Sequence, residues 1–282
     1  MALNLEPSSI LLGLLLGTIQ AITEFLPISS SGHLVLVEKI IDSAPNSLTF
    51  DVGLHIGTLM AILVSFKNIV SSITLACIKK MYKKNDLTQD EQHYSQIGLL
   101  LIIGTIPAAI AGLLFVDIIE LYLREPWLIA LTLTIGAVFM WIADRNAARL
   151  LTLSDFDLRG TIIIGCAQAI ALVPGMSRSA MTISAARLLG HSRKQSAEFS
   201  FLLAIPVIIS AGVLTALRSI SSDLPIDWNL MIIGSSTAFL FGILVIKFFL
   251  SYLEKYNLSL FINYRVLLAA VITIGILTKN IM

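Results

Sequence analysis

Two short polar segments interrupt otherwise apolar stretches of this chain, and both carry side chains that can do chemistry. The first reads TEFLPISSSGH over residues 23–33, and the second reads PGMSRSAMT over residues 174–182. The first combines the carboxylate of Glu24 with three serine hydroxyls and the imidazole of His33, and the second places Arg178 between two serines. Because ionisable groups inside apolar helices are costly to insert and usually serve a function, the two segments are predicted to form one site.

A proline ends a helix in each segment, and a polar loop follows before the next helix begins. After Pro27 the new helix is predicted from about His33, and after Pro174 it is predicted over about 179–189. The first N–H groups of a helix are unpaired and carry the positive end of its dipole, so each loop favours an anion. The guanidinium of Arg178 adds a planar fork that suits two phosphate oxygens. The sequence therefore predicts a pocket for a compact polyanion, with donors expected from Ser29, Ser31, Gly32, Ser177, Ser179 and Thr182.

Structural roles are the alternative for the same residues. Single serines in these loops can be helix caps, and Arg178 can form an ion pair with Glu24 or Glu198. Gln20 lies one helical turn before Glu24, so these two side chains are expected on the same helix face.

The remaining polar residues are weaker candidates. Asp51 and His55 open a predicted span, and Asp51 and Glu198 are expected to support the two polar segments as hydrogen-bond acceptors. The sequence contains no HExxH, Walker A, GxSxG or CxxC pattern, which disfavours a zinc protease, an NTPase and a lipase-type serine hydrolase.

The elements that must position these residues are membrane helices. Hydrophobic residues make up 56% of the chain and charged residues 13%, with a mean hydropathy of +0.89, whereas soluble domains carry about 25% charged residues. The formal net charge of +1 argues against a nucleic-acid binder. Six apolar runs are long enough to cross a hydrocarbon core of about 30 Å: 51–77, 95–116, 126–143, 198–217, 230–251 and 262–280.

Two further apolar stretches, 9–41 and 160–190, contain the polar segments and are predicted to be re-entrant helix hairpins. Lysine and arginine place loops 78–94, 144–159 and 252–261 in the cytoplasm, and loop 218–229 and both termini outside. This charge count is equally consistent with two hairpins that both cross the membrane.

An internal repeat relates the two halves of the chain. Gly17 and Gln20 match Gly165 and Gln168 at an offset of 148 residues, Pro27 and Ser30 match Pro174 and Ser177 at 147, and Gly104 and Gly234 match at 130. Each half contains one hairpin and three spans, and an odd number of spans gives the halves opposite orientations. The predicted fold is an all-α polytopic membrane protein with one domain, 1–282, made of two inverted repeats, about 1–143 and about 160–282.

At these residues the chain resembles the undecaprenyl-diphosphate phosphatases of the bacitracin-resistance type. The family's (E/Q)xxxE and FLPxSSxGH motif is similar to residues 20–33, and its PGxSRSGxT motif is similar to 174–182. The stretch AEFSFLLAIP, 197–206, looks like the family segment that follows, and the resemblance covers nearly the whole chain. Two positions differ from the usual pattern, because Gln20 is an amide where many relatives have glutamate and Ala180 replaces a glycine.

The resemblance implies an enzyme that hydrolyses undecaprenyl diphosphate to undecaprenyl phosphate and inorganic phosphate, which recycles the lipid carrier of peptidoglycan synthesis and confers bacitracin resistance. It implies that Ser30 is the nucleophile, His33 the acid/base, Arg178 the diphosphate clamp, and Glu24 and Gln20 the region of a Mg²⁺ or Ca²⁺ ion. It also implies the bacterial cytoplasmic (inner) membrane, a site that faces the periplasm, and surroundings of lipid bilayer, and it allows a homodimer.

The chemistry expected on this basis is metal-assisted phosphoryl transfer, in which His33 or Glu24 takes a proton from Ser30 or from a water molecule. The sequence leaves these routes open. A polyprenyl-phosphate transporter or flippase is the alternative function, because inverted repeats with broken helices are also a transporter plan. The presence of Glu24, Ser30 and His33 together favours hydrolysis, since a lipid binder needs no nucleophile beside an acid/base.

Overall fold

The computed structural model describes residues 7–41, 48–82, 87–146, 150–219 and 227–278. Over these residues the chain forms eleven α-helices and no β-strand, which confirms the all-α prediction. The helices are α1 (Pro7–Phe25), α2 (Ser30–Ile40), α3 (Leu48–Ser65), α4 (Lys67–Tyr82), α5 (Gln89–Tyr122), α6 (Pro126–Asn146), α7 (Leu158–Ile170), α8 (Arg178–Leu188), α9 (Arg193–Ser219), α10 (Trp228–Lys255) and α11 (Ser259–Leu277). A single 3-10 turn, Leu153–Asp155, lies between α6 and α7.

Five helices, α5, α6, α9, α10 and α11, are long and apolar enough to cross a membrane, which confirms five of the six predicted spans. The sixth, predicted as one span over 51–77, falls on two helices, α3 and α4, which are long and apolar enough to cross only when taken together. The chain bends there by 86° between α3 and α4, at Phe66. A straight helix would hold Lys67 at hydrocarbon depth, where a charge is costly, whereas at the bend Lys67 and Asn68 are exposed on the surface of the protein.

The two apolar stretches with central prolines form helix–loop–helix hairpins, as predicted. α1 and α2 are joined by the loop 26–29, and α7 and α8 by the loop 171–177. Each loop together with the first turn of the helix that follows it, 26–33 and 171–182, is called the tip of its hairpin. The side from which each hairpin enters the membrane stays a prediction. Residues 83–86, 147–149 and 279–282, and most of the predicted outer loop (220–226), lie outside the described residues.

Glycines that match in the predicted repeat make equivalent contacts. α1 packs against α10, where a Cβ on Gly17 would overlap the carbonyl oxygen of Gly234. α7 packs in the same way against α5, where a Cβ on Gly165 would overlap the carbonyl oxygen of Gly104. The hairpin of each half is thus held by a long helix of the other half, while the opposite orientation of the halves stays a prediction.

An aromatic cluster fixes the inner end of α1. Phe25, fully buried, packs edge-on against Phe201 of α9 with a ring-centroid distance of 5.4 Å. This contact places the last turn of α1, which carries Glu24, beside the α9 turn that contains Ser200.

Candidate active site

Glu24 lies at the centre of a hydrogen-bonded cluster between the two hairpins. Its side chain is 4% exposed. The Ser30 hydroxyl donates to Glu24 Oε2 at 2.7 Å, and Arg178 Nη2 donates to Glu24 Oε1 at 3.0 Å. A hydroxyl from the first tip and a guanidinium from the second therefore meet on one buried carboxylate.

Two further groups complete the surroundings of this carboxylate. His55 Nε2 lies 3.2 Å from Glu24 Oε2, and the amide nitrogen of Gln20 donates to the same oxygen at 3.3 Å. His55 Nδ1 lies 2.7 Å from the carbonyl oxygen of Asp51. Because both ring nitrogens face oxygen acceptors, this geometry suits the imidazolium form of His55.

The two tips share an unusual backbone conformation. Ser29 has a φ of 79° and Ser177 a φ of 71°, the two positive values among the described non-glycine residues. Both are N-caps: the Ser29 hydroxyl accepts from the N–H of Gly32, and the Ser177 hydroxyl accepts from the N–H of Ala180. A left-handed conformation is costly for an ordinary residue, so packing around both tips must hold it in place.

This conformation changes the register of the repeat at the tips. Ser29 and Ser177 are the equivalent caps, 148 residues apart, so Ser30 is not the partner of Ser177 as the sequence match suggested. Ser30 and Arg178 are instead equivalent, since each is the first residue of its helix, α2 or α8. The two groups that donate to Glu24 thus occupy the same position in the two hairpins.

Arg178 is held from two sides and keeps its Nε–H available for a further hydrogen bond. Its Nη1 donates to the carbonyl oxygen of Ser200 at 2.9 Å, while Nη2 is on Glu24. Its Nε is buried and has no hydrogen-bond partner among the described residues. An unpaired N–H of a charged group costs about 1–3 kcal/mol or more when buried, so this donor favours an incoming anion.

The second tip contributes hydroxyls that brace the site. The Thr182 hydroxyl lies 2.7 Å from the Ser200 hydroxyl, and Ser179 donates to the carbonyl oxygen of Leu26 at 3.2 Å. The latter bond joins the two tips directly. Ser31 lies 3.4 Å from the Ser29 hydroxyl, not on Glu24.

His33 points away from this cluster. Its Nδ1 lies 2.7 Å from the carbonyl oxygen of Ser29, and its Nε2 lies 2.7 Å from the hydroxyl of Tyr264, whose ring stacks on the imidazole. With a carbonyl opposite Nδ1, that nitrogen carries the proton and Nε2 accepts from Tyr264. Ser30 thus donates its hydrogen bond to Glu24 and not to His33. The lone pair of His33 Nε2 accepts from Tyr264 of α11.

His33 and Tyr264 also line a mainly apolar groove of about 400 Å³. Its other walls are Ile19, Ile22, Thr23, Leu26, Ile28, Leu260 and Phe261. The groove begins beside the first tip and is walled by α1 and the start of α11, so a long apolar ligand could lie along it next to the polar cluster.

A divalent cation is chemically compatible with Gln20 and Glu24. No cluster of three or more His, Cys, Asp or Glu side chains exists among the residues that the structure describes. The Oε1 atom of Gln20 is buried without a partner in that part of the chain, one turn from the Glu24 carboxylate. Mg²⁺ commonly takes one or two protein oxygens and completes its shell with phosphate oxygens and water, which is what this pair offers.

Comparison with known proteins identifies the family of this chain. The family model described as "Bacitracin resistance protein BacA" matches residues 13–271. The chain belongs to the BacA family. It is 41% identical to undecaprenyl-diphosphatase 1 of Pseudoalteromonas translucida over 90% of this chain and 94% of that relative. It is 44% identical to the undecaprenyl-diphosphatase of Elusimicrobium minutum over 94% of this chain and 97% of the relative, and 40% identical to that of Teredinibacter turnerae over 93% and 97%.

The structure thus brings together Glu24, Gln20, Ser30 and Arg178 of the predicted site, and it leaves His33 one turn away from Ser30. Both structural alternatives are also present, because Ser29 and Ser177 are caps and Arg178 is paired with Glu24. The caps and the ion pair are compatible with anion binding, since the N–H groups at the helix N-termini and on Arg178 can also donate to an anion.

Sequence reasoning underrated or missed three contributors. The sequence pattern places His55 among the weaker candidates and does not indicate Tyr264 or Ser200, although a histidine inside an apolar span is itself a signal of function. Tyr264 and the Ser200 carbonyl carry no such signal, because any helix contains similar groups. Asp51 Oδ2 lies 3.5 Å from Arg124 and its carbonyl oxygen lies 2.7 Å from His55 Nδ1, so Asp51 reaches Glu24 through His55. Glu198 accepts from Gln195, and support of the tips by either carboxylate stays a prediction.

Proposed function

We propose that this chain is an undecaprenyl-diphosphate phosphatase of the bacterial cytoplasmic membrane, with its site open to the periplasm. It releases inorganic phosphate from undecaprenyl diphosphate, returns the lipid carrier to peptidoglycan synthesis and so confers resistance to bacitracin. The observation that carries the proposal is the convergence of Ser30 and Arg178 on Glu24. The names of the similar proteins support the choice of substrate.

Binding of the diphosphate begins with Arg178. Its unpartnered Nε–H, and the Nη2–H that Glu24 now accepts, form the fork that binds two phosphate oxygens. The N-termini of α2 and α8 add oriented N–H groups. When the hydrogen bond of Nη2–H shifts from Glu24 to phosphate, the carboxylate loses one cationic partner. Glu24 then accepts a proton from Ser30 more readily.

Chemistry then uses the bond between Ser30 and Glu24. Glu24 takes the hydroxyl proton, the serine oxygen attacks the terminal phosphorus, and the bond from phosphorus to the bridging oxygen breaks to release undecaprenyl phosphate. Glu24 gives this proton to the departing undecaprenyl phosphate. Water then attacks the phosphoserine and gives a proton to Glu24, which passes it to the Ser30 oxygen as inorganic phosphate leaves, so that both residues are restored. In the alternative route Glu24 takes the proton directly from the attacking water, and no phosphoserine forms.

His33 supports the first tip in this scheme. Its Nδ1–H holds the Ser29 carbonyl and its Nε2 accepts from Tyr264, so Glu24 is the better-placed base for Ser30. A His33→Ala variant with wild-type turnover would exclude any role of the imidazole in proton transfer.

A divalent cation, Mg²⁺ or Ca²⁺, held by Glu24 and Gln20 would supply neutralisation of the diphosphate charge. We further propose that the apolar groove beside His33 receives the first isoprene units of the tail. This places the headgroup at the tips and the tail along α1.

The test is phosphate release from C55 diphosphate by the purified protein in detergent, with Mg²⁺ and with EDTA. Release that requires the cation supports the phosphatase, whereas tight binding of the lipid with no phosphate release would favour the flippase. Ser30→Ala should abolish turnover, and Ser71→Ala, which removes an exposed hydroxyl of α4 that donates to the carbonyl oxygen of Asn68, should retain most of it. Mass-spectrometric detection of phosphate on Ser30 during turnover would exclude direct attack by water.

A further inference from the structure

Arg265 of α11 is the largest fully buried side chain among the described residues. Its guanidinium donates to five backbone carbonyl oxygens at 2.9–3.4 Å: those of Pro27, Thr132, Leu133, Gly175 and Met176. No carboxylate of the described residues lies within ion-pair distance of it. A buried arginine without a counter-ion is costly, so the contacts that it makes need a reason.

These carbonyls belong to three separate elements. Thr132 and Leu133 are on α6, Pro27 is in the first tip, and Gly175 and Met176 are in the second tip. Met176 directly precedes the positive-φ residue Ser177, and Pro27 lies two residues before the positive-φ residue Ser29. One guanidinium thus holds the irregular backbone at the entry to both strained caps.

We infer that Arg265 is a positioning residue for the reaction, which fixes the two hairpin tips relative to each other. By holding both tips against α6, it keeps Ser30 and Arg178 at hydrogen-bond distance from Glu24. Its charge also adds a second guanidinium to the region of the tips, where the Glu24 carboxylate accepts from both Ser30 and Arg178. The inference rests on the proposed function.

Gly136 of α6 supplies a second way to disturb the same contact. A Cβ at this position would overlap Nη2 of Arg265, the atom that bonds both carbonyls of the second tip. Gly136→Ala therefore displaces the guanidinium while the arginine and both tips keep their sequence. Gly212 of α9 is the matched control, because a Cβ there meets nothing within 4 Å.

The first measurement is the kinetics of phosphate release by Arg265→Gln, Arg265→Lys, Gly136→Ala and Gly212→Ala. We expect kcat to fall by about 10–100-fold in Arg265→Gln, because a displacement near 1 Å can cost about 100-fold, while KM stays within about threefold since the side chain touches no substrate. The kcat of Gly136→Ala should also fall. The kcat of Arg265→Lys should lie between those of Arg265→Gln and the wild type, and the kcat of Gly212→Ala should match the wild type.

The second measurement is hydrogen exchange of the ligand-free variants in detergent. Faster exchange in both tip peptides, 26–32 and 174–180, with unchanged exchange in α10, supports positioning of the tips. Wild-type kcat in Arg265→Gln overturns the inference. Faster exchange in one tip alone also overturns it. Faster exchange along the whole chain does the same, because it would show that Arg265 has a general structural role. If the wild type releases no phosphate, the proposed function fails, and the exchange of the tips still decides whether Arg265 holds them.

Discussion

Replacement of Arg178 by alanine is the most direct test of how the two hairpins share one site. The variant removes two donors that the structure makes available to phosphate, the unpartnered Nε–H and the Nη2–H now on Glu24. A hydrogen bond to a charged group contributes about 1.5–3 kcal/mol, so the loss of two amounts to about 3–6 kcal/mol. At about 1.4 kcal/mol for each factor of ten, kcat/KM should fall by roughly 10²–10⁴.

Arg178→Lys separates charge from geometry. The ammonium keeps the positive charge but lacks the planar fork, so we expect at least about a tenfold loss in kcat/KM. The control is Arg145→Ala, because Arg145 lies over the ring of Trp141 at 4.4 Å on α6 and does not contact the cluster. Initial rates of phosphate release should be measured across a range of C55 diphosphate concentrations in mixed micelles.

Loss of stability must be distinguished from loss of substrate binding. Arg178→Ala leaves Glu24 buried with one cationic partner fewer, and removal of one member of a buried pair costs about 3–5 kcal/mol. The double variant Glu24→Gln/Arg178→Ala removes the unpaired charge, so it should recover thermal stability without recovering activity. A kcat/KM for Arg178→Ala within about threefold of the wild type, with the protein folded, would refute the assignment of Arg178 to phosphate.

Three further predictions concern neighbouring residues. Gln20→Glu replaces a neutral oxygen donor by a carboxylate, so the Mg²⁺ concentration that gives half-maximal turnover should fall, by about tenfold; an unchanged titration curve would place the cation elsewhere. His55→Gln removes a partner of Glu24 and should lower kcat by about 5–10-fold, which corresponds to the free energy of one hydrogen bond. Full activity of this variant would show that His55 has no role in turnover. Gly17→Ala forces a methyl group against the backbone of α10 and should lower the melting temperature in detergent by about 2–10 °C. Gly212→Ala, with open space at its Cβ, is its control, and equal melting of the two variants would contradict the close helix contact.

Much of the fold follows from local properties of the chain. Run length and hydropathy predict α5, α6, α9, α10 and α11, because the thickness of the hydrocarbon core sets how many apolar residues a span needs. Pro27 and Pro174 predict the broken hairpins because a serine-containing polar loop follows each of them, whereas Pro107 and Pro206 lie inside α5 and α9 without ending them. The helix caps also follow from local sequence, because a capping side chain accepts from an N–H only three residues away.

The first span shows where such reasoning fails. The run 51–77 is apolar enough to be read as one helix, and after Asp51 at its start Lys67 is its single lysine, arginine, aspartate or glutamate. The 86° bend at Phe66 depends on how α3 and α4 pack against the other helices, which hydropathy does not record.

The residues of the site were within reach of the sequence, but their connections were not. Glu24, Ser30 and Arg178 stand out because polar and charged side chains are rare in apolar helices. That Glu24 accepts from Arg178, 154 residues away, follows only from the packing of the hairpins between the long helices. Arg265 is the clearest case, because its partners are backbone carbonyls, and every residue of the chain has one. Side-chain type reveals which groups can react, whereas the positions that make them one site depend on contacts between distant segments.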